Sequence, residues 1–145
     1  MVGRVLNLPI AQLRTGNLEA RADDRALGYM GLCDAMTKAQ AEDYLRELDS
    51  WSISENAEGH LLISREWRAK SFVKALELCD RIAEVAEEQG HHPDLHITGW
   101  NRLRVDLTTH ARDGLTENDF IVAAKLDAIP KEDLLRKRKK ATPDA

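Results

Sequence analysis

Between Ser71 and Gly90 the chain carries an apolar pattern of helical period that is too wide to leave in water. Phe72, Leu76, Cys79, Ala83 and Ala86 recur at steps of four and three, flanked by Val73, Ala75, Leu78, Ile82 and Val85. A helix with so broad an apolar face must be largely buried, so the rest of the fold has to be built around it. Its limits are written in the same stretch. Ser71 can accept a hydrogen bond from a free N–H of the first turn, Gly90 suits the left-handed residue just past the end, and Pro93 forbids continuation. His91 and His92 therefore lie just beyond a helix C-terminus.

On either side of this helix the period changes to two. Trp51 and Ile53 alternate with Ser52 and Ser54, turn residues follow from Glu55 to Gly59, and Leu61, Ile63 and Trp67 resume the alternation, which predicts a hairpin. Downstream, Leu95 and Ile97 alternate with His96 and Thr98; after a break at Gly99 to Asn101, Leu103, Val105 and Leu107 alternate with Arg102, Arg104, Asp106 and Thr108. Such alternation means one covered face and one wetter face. His110 has the parity of the polar residues, provided the strand runs that far. Thr37 to Gln40 has the form of a capping box ahead of Ala41, Tyr44, Leu45 and Leu48, in a first helix ending near Asp49. Gly114 and Thr116 open a third, with Phe120, Ile121, Ala124 and Ile129 apolar and Pro130 as its stop. The order α-β-β-α-β-β-α predicts an α+β layer with helices on one face of an antiparallel sheet. The bare face would favour dimerisation or a ligand.

A chain of 145 residues is long enough for one core and too short for two ordinary domains. Residues 1–34, where Pro9, Gly3, Gly16 and Gly28 interrupt scattered apolar residues, read as an extension; 35–130 read as the domain and 131–145 as a basic tail. That tail is +3 by formal charge and the remainder −7, together the −4 of the whole chain. A basic tail on an acidic body is expected to be solvated or to dock an acidic partner; nucleic acid is not expected. Cys33 and Cys79 form no CxxC pair and suit free thiols in a reducing compartment. No apolar run has the length of a membrane span and no secretory leader is evident, so a cytoplasmic protein is expected.

The candidate site is one ordered array: Glu87, His91-His92-Pro93, Trp100, His110 and Asp119. Three of the chain's five histidines fall in it with a carboxylate at either end, and imidazoles titrate near neutrality, which suits proton transfer. Plainer readings stand beside this. Trp100 suits a half-buried strand end as well as a stacking wall, and Glu87 could be a solvated helix-end charge. His92 and His96 with Asp94 between them suggest a zinc pair, yet Pro93 breaks the helix that would align them, so no metal is expected.

This array resembles the signature of the pterin-4a-carbinolamine dehydratases, as do Thr108-Thr109-His110 and Gly114-Leu115-Thr116, and the resemblance covers about residues 37 to 129. It implies a four-stranded antiparallel sheet with three helices on one side, assembly as dimers or tetramers, and no metal or cofactor. The implied reaction is loss of water from a 4a-hydroxytetrahydropterin, with His91 and His110 as acid/base groups, His92 holding the pterin, and Glu87, Trp100 and Asp119 binding or orienting. One departure is Leu95, where the enzymes usually place a large aromatic. The runs Gly90 to His96, Gly114 to Ile121, Ala123 to Asp127 and Asp133 to Arg138 are also similar to a divergent branch, the dehydratase-like Rubisco assembly factors of plastids and α-carboxysome bacteria. That likeness implies a carboxysome-associated chaperone acting on Rubisco subunits without dehydratase activity. The alternative it leaves open is an active 4a-hydroxytetrahydrobiopterin dehydratase, since all three histidines are kept.

Overall fold

A computed structural model of the chain describes residues 35–137; the extension read at residues 1–34 and the last eight residues lie outside the described ones. The elements are α1 (Lys38–Leu45), β1 (Ser52–Glu55), β2 (Leu61–Arg68), α2 (Phe72–Gln89), β3 (Asp94–Thr98), β4 (Arg102–Leu107), a 3-10 turn (His110–Arg112) and α3 (Glu117–Asp127). All pairings are antiparallel and the strand order is β1-β2-β4-β3. This is the α+β architecture expected, with three helices and a four-stranded sheet.

Register explains which face is covered. Ile63 pairs with Leu107, Arg65 with Val105 and Trp67 with Leu103, so the central strands present one apolar side, and all of these residues except Arg65 are buried. Leu78 and Ile82 of α2 and Phe120, Val122, Ala123 and Leu126 of α3 join them in one core. On the other side Ser64 pairs with Asp106, Glu66 with Arg104 and Arg68 with Arg102.

The caps form where the sequence places them. Thr37 and Gln40 exchange the two bonds of a capping box, and Ser71 Oγ accepts Lys74 N–H at 3.1 Å. Gly90, at φ 65°, ends α2 in a Schellman turn in which His91 N–H reaches Ala86 O at 3.1 Å and Gly90 N–H reaches Glu87 O at 3.2 Å.

Three expectations are corrected. The buried stripe of α2 is Ala75, Leu78, Ile82, Ala86 and Gln89, whereas Phe72, Val73 and Leu76 are exposed, because a helix lying on a sheet buries about a third of its circumference and this one is apolar over more. β4 stops at Leu107, so His110 leads a tight turn instead of extending the strand. The folded part also runs past residue 130. Leu134 is fully buried, Lys70 N–H donates to Leu134 O and Arg136 N–H to Arg68 O, both at 2.9 Å, so the start of the supposed tail is stitched to the end of β2.

Candidate functional site

The Schellman turn and Pro93 reverse the chain between α2 and β3, and that reversal sets His91 against the N-terminus of α3. His91 Nε2 lies 2.6 Å from Asp119 Oδ1. Asp119 is fully buried, and its other oxygen accepts Thr109 Oγ1–H at 2.8 Å and Thr116 N–H at 2.9 Å. The last bond is a helix-capping one, made at the third residue of α3. The Thr109 and Thr116 hydroxyls lie 2.8 Å apart, and with the Thr109 proton committed to Asp119, Thr116 is the donor of that pair. A carboxylate so placed can accept a hydrogen bond from Nε2–H of His91, and in that tautomer Nδ1 carries the lone pair.

Thr109 also connects the second histidine. It precedes His110 at the head of the 3-10 turn, exchanges main-chain bonds with Gly114, and so closes the turn on which His110 stands exposed. Thr108 fixes the same corner by donating to Leu61 O at 2.8 Å. His91, Asp119, Thr109 and His110 thus form one connected run, with Asp119 as its buried hub. His92 faces the other way: its Nε2 lies 2.7 Å from Glu87 Oε2, and both side chains are mostly in water.

Five of the six expected residues therefore gather at one end of the sheet. Trp100 does not. It lies in the β3–β4 turn with φ 61° and 58% exposure, and a five-residue strand rising about 3.3 Å per residue separates it from the histidine end. A residue nine places from one histidine and eight from another is carried to the far end when a hairpin intervenes.

Sequence reading passed over the supports. Thr109 and Thr116 bond the hub, and the signal for Thr116 was its capping spacing to Asp119. His96, weighed as a metal ligand, instead has Nε2 at 3.0 Å from Asp106 Oδ2, in a cluster where Ser64 Oγ donates to Asp106 Oδ1 at 2.6 Å and Arg104 makes two further bonds. Burial would raise the Asp106 pKa, but the Arg104 and Ser64 hydrogen bonds outweigh it and hold the carboxyl below its ordinary range.

Comparison with known proteins agrees with this fold. Residues 34–129 match the family model described as pterin 4 alpha carbinolamine dehydratase. The pterin-4-alpha-carbinolamine dehydratase 2, mitochondrial, of Arabidopsis thaliana is 50% identical over 107 residues, 74% of this chain; the chain spans 57% of that relative's length. A solved structure described as a transcriptional coactivator/pterin dehydratase from Brucella melitensis superposes with a TM-score of 0.56 at 33% identity, over 66% of this chain and 97% of that one. A pterin dehydratase-like protein identified as a RuBisCO assembly factor in the α-carboxysome is 22% identical with a TM-score of 0.45, over 55% of this chain and 88% of that one, a likeness too distant to carry a role across.

Proposed function

The chain belongs to the pterin 4 alpha carbinolamine dehydratase family, and on that premise we propose that it catalyses the loss of water from a 4a-hydroxytetrahydropterin. The carbon–oxygen bond at the hydroxylated ring carbon breaks while the neighbouring ring nitrogen gives up its proton; the ring gains a carbon–nitrogen double bond and water departs. One group must take a proton and another must give one. His91 takes the ring-nitrogen proton on Nδ1, and Asp119 then stabilises the imidazolium through the Nε2–H bond, as a buried carboxylate behind a base does in a hydrolytic triad. His110 protonates the leaving oxygen. His92, kept at the surface by Glu87, holds the pterin.

The observation that carries this reading is the 2.6 Å contact between His91 and a fully buried Asp119 whose remaining bonds come from Thr109 and Thr116. That arrangement supports a base of fixed tautomer and aim. The full chain should accelerate dehydration of a 4a-hydroxytetrahydropterin in a stopped-flow absorbance assay, and His91→Ala should slow it by about 10²- to 10⁴-fold. Wild-type protein no faster than the spontaneous reaction would end the enzymatic reading.

A second reading, in which the chain holds Rubisco subunits during assembly, draws on the exposed Phe72, Val73 and Leu76 of α2 and on Leu95, apolar surface of the kind that protein contacts use. Replacing Phe72 and Leu76 by Ser would then abolish co-purification with Rubisco large subunit and leave dehydration intact.

A further inference from the structure

Thr109 directs its hydroxyl away from the turn it opens. A threonine at the head of a helical turn ordinarily caps a free main-chain N–H of that turn, yet Thr109 stands ahead of His110–Arg112 and makes no such bond. Its Oγ1–H goes instead to Asp119 Oδ2 at 2.8 Å. The turn holds without it. Thr109 N–H donates to Gly114 O at 2.8 Å and Thr109 O accepts Arg112 N–H at 2.9 Å, so main-chain bonds close the corner on which His110 stands. Gly114 is also packed from outside: a Cβ on it would lie 2.9 Å from that of Ala35, and Met36 N–H donates to Leu115 O at 2.7 Å. The hydroxyl is therefore surplus to the local structure.

What the hydroxyl fixes is the rotation of the Asp119 carboxylate. That group turns about a broad, two-fold torsion, so hydrogen bonds and not a rotamer well decide where its oxygens aim. Thr116 N–H, 2.9 Å from Oδ2, is one fixed point, and a single point leaves the plane free to swing. The second point, from Thr109, holds the plane and keeps Oδ1 for His91 Nε2 at 2.6 Å. Thr116 Oγ1, 2.8 Å from Thr109 Oγ1, orients the Thr109 hydroxyl in turn. The carboxylate aims His91 at one end of this bond, and the Thr109 main chain carries His110 at the other. One side chain thus ties together the two groups that the dehydration uses.

We propose that Thr109 is a positioning residue for the dehydration, coupling the base His91 to the acid His110 through Asp119. The proposal rests on the dehydratase reading above, so its test has one readout that needs no turnover. The full chain is compared with its Thr109→Val and Thr109→Ser variants; valine keeps the β-branched shape and lacks the hydroxyl. A shift of about 1 Å at a reacting group costs about 10²-fold, so Thr109→Val is expected to lower kcat by about 10- to 100-fold with KM changed less than about twofold. Thr109→Ser is expected to recover most of that loss. By ¹⁵N-edited NMR, with the signal assigned by His91→Gln, exchange of the His91 Nε2–H with water should be about tenfold faster in Thr109→Val alone, the effect of one hydrogen bond. Unchanged kcat in Thr109→Val, a serine variant as slow as the valine one, or equal exchange in all three would overturn the proposal. Wild-type protein without turnover would sink the dehydratase reading, whereas faster exchange in Thr109→Val would still uphold the hold of Thr109 on His91.

Discussion

The two ends of the sheet pair their charged side chains differently. At the histidine end His91 and His92 each face a carboxylate, and the buried Asp119 has three donors for its two oxygens. At the other end charge is crowded against aromatic rings: Arg65 and Lys131 both lie over Trp67, Trp51 Nε1 and Arg65 share Asp127, and two donors have no partner among the described residues. Burial there raises the Asp127 pKa despite the Trp51 and Arg65 hydrogen bonds, and lowers that of Lys131. The contrast teaches that a polar residue's burial says little until its partners are counted. A fully satisfied network fixes the geometry of its members, and an unsatisfied one keeps buried donors at a cost.

The sharpest way to break the comparison is Asp119→Ala. It removes the hub, so turnover should fall by about 10²-fold or more, and the buried donors left behind should lower stability by about 3 kcal/mol, read from urea melts. Loss of activity with unchanged stability would show that the hub serves chemistry alone. At the opposite end, Leu134→Ala should cost about 2–5 kcal/mol while turnover per folded molecule stays the same, because Leu134 is fully buried yet remote from the histidines. A smaller stability effect belongs to His92→Ala: its contact with Glu87 joins side chains 60% and 76% exposed, so melts should move by less than about 1 kcal/mol while substrate affinity drops. The smallest concerns pH. The folded-state pKa of Asp106 lies below its unfolded value, so its contribution is present above about pH 4 and fades as pH falls through the folded value; Asp106→Asn should flatten the acid side of a melting-temperature profile.

Periodicity made the fold legible because strands and helices each bury one side. Thr37, Ser71 and Gly90 marked ends that the structure keeps. What periodicity could not supply was which side of an over-wide apolar helix turns inward, since Phe72 and Leu78 look equally eligible until the sheet is placed. The site was legible as an ordered array, but spacing along a chain is not distance in space: Trp100 shares the array and sits across a hairpin from it. Lys131 misled for a different reason. A lysine in a basic run reads as solvated, yet its ammonium caps the C-terminus of α3 through three carbonyls, a role fixed by where the helix happens to end.

Asp119 begins a helix and aims an imidazole with the same two oxygens. If the proposed turnover were given up, that carboxylate would still be needed to start α3, while the water-exposed His92 and Glu87 would be free to go first. Decay of the chemistry would then begin at the rim and reach the hub last.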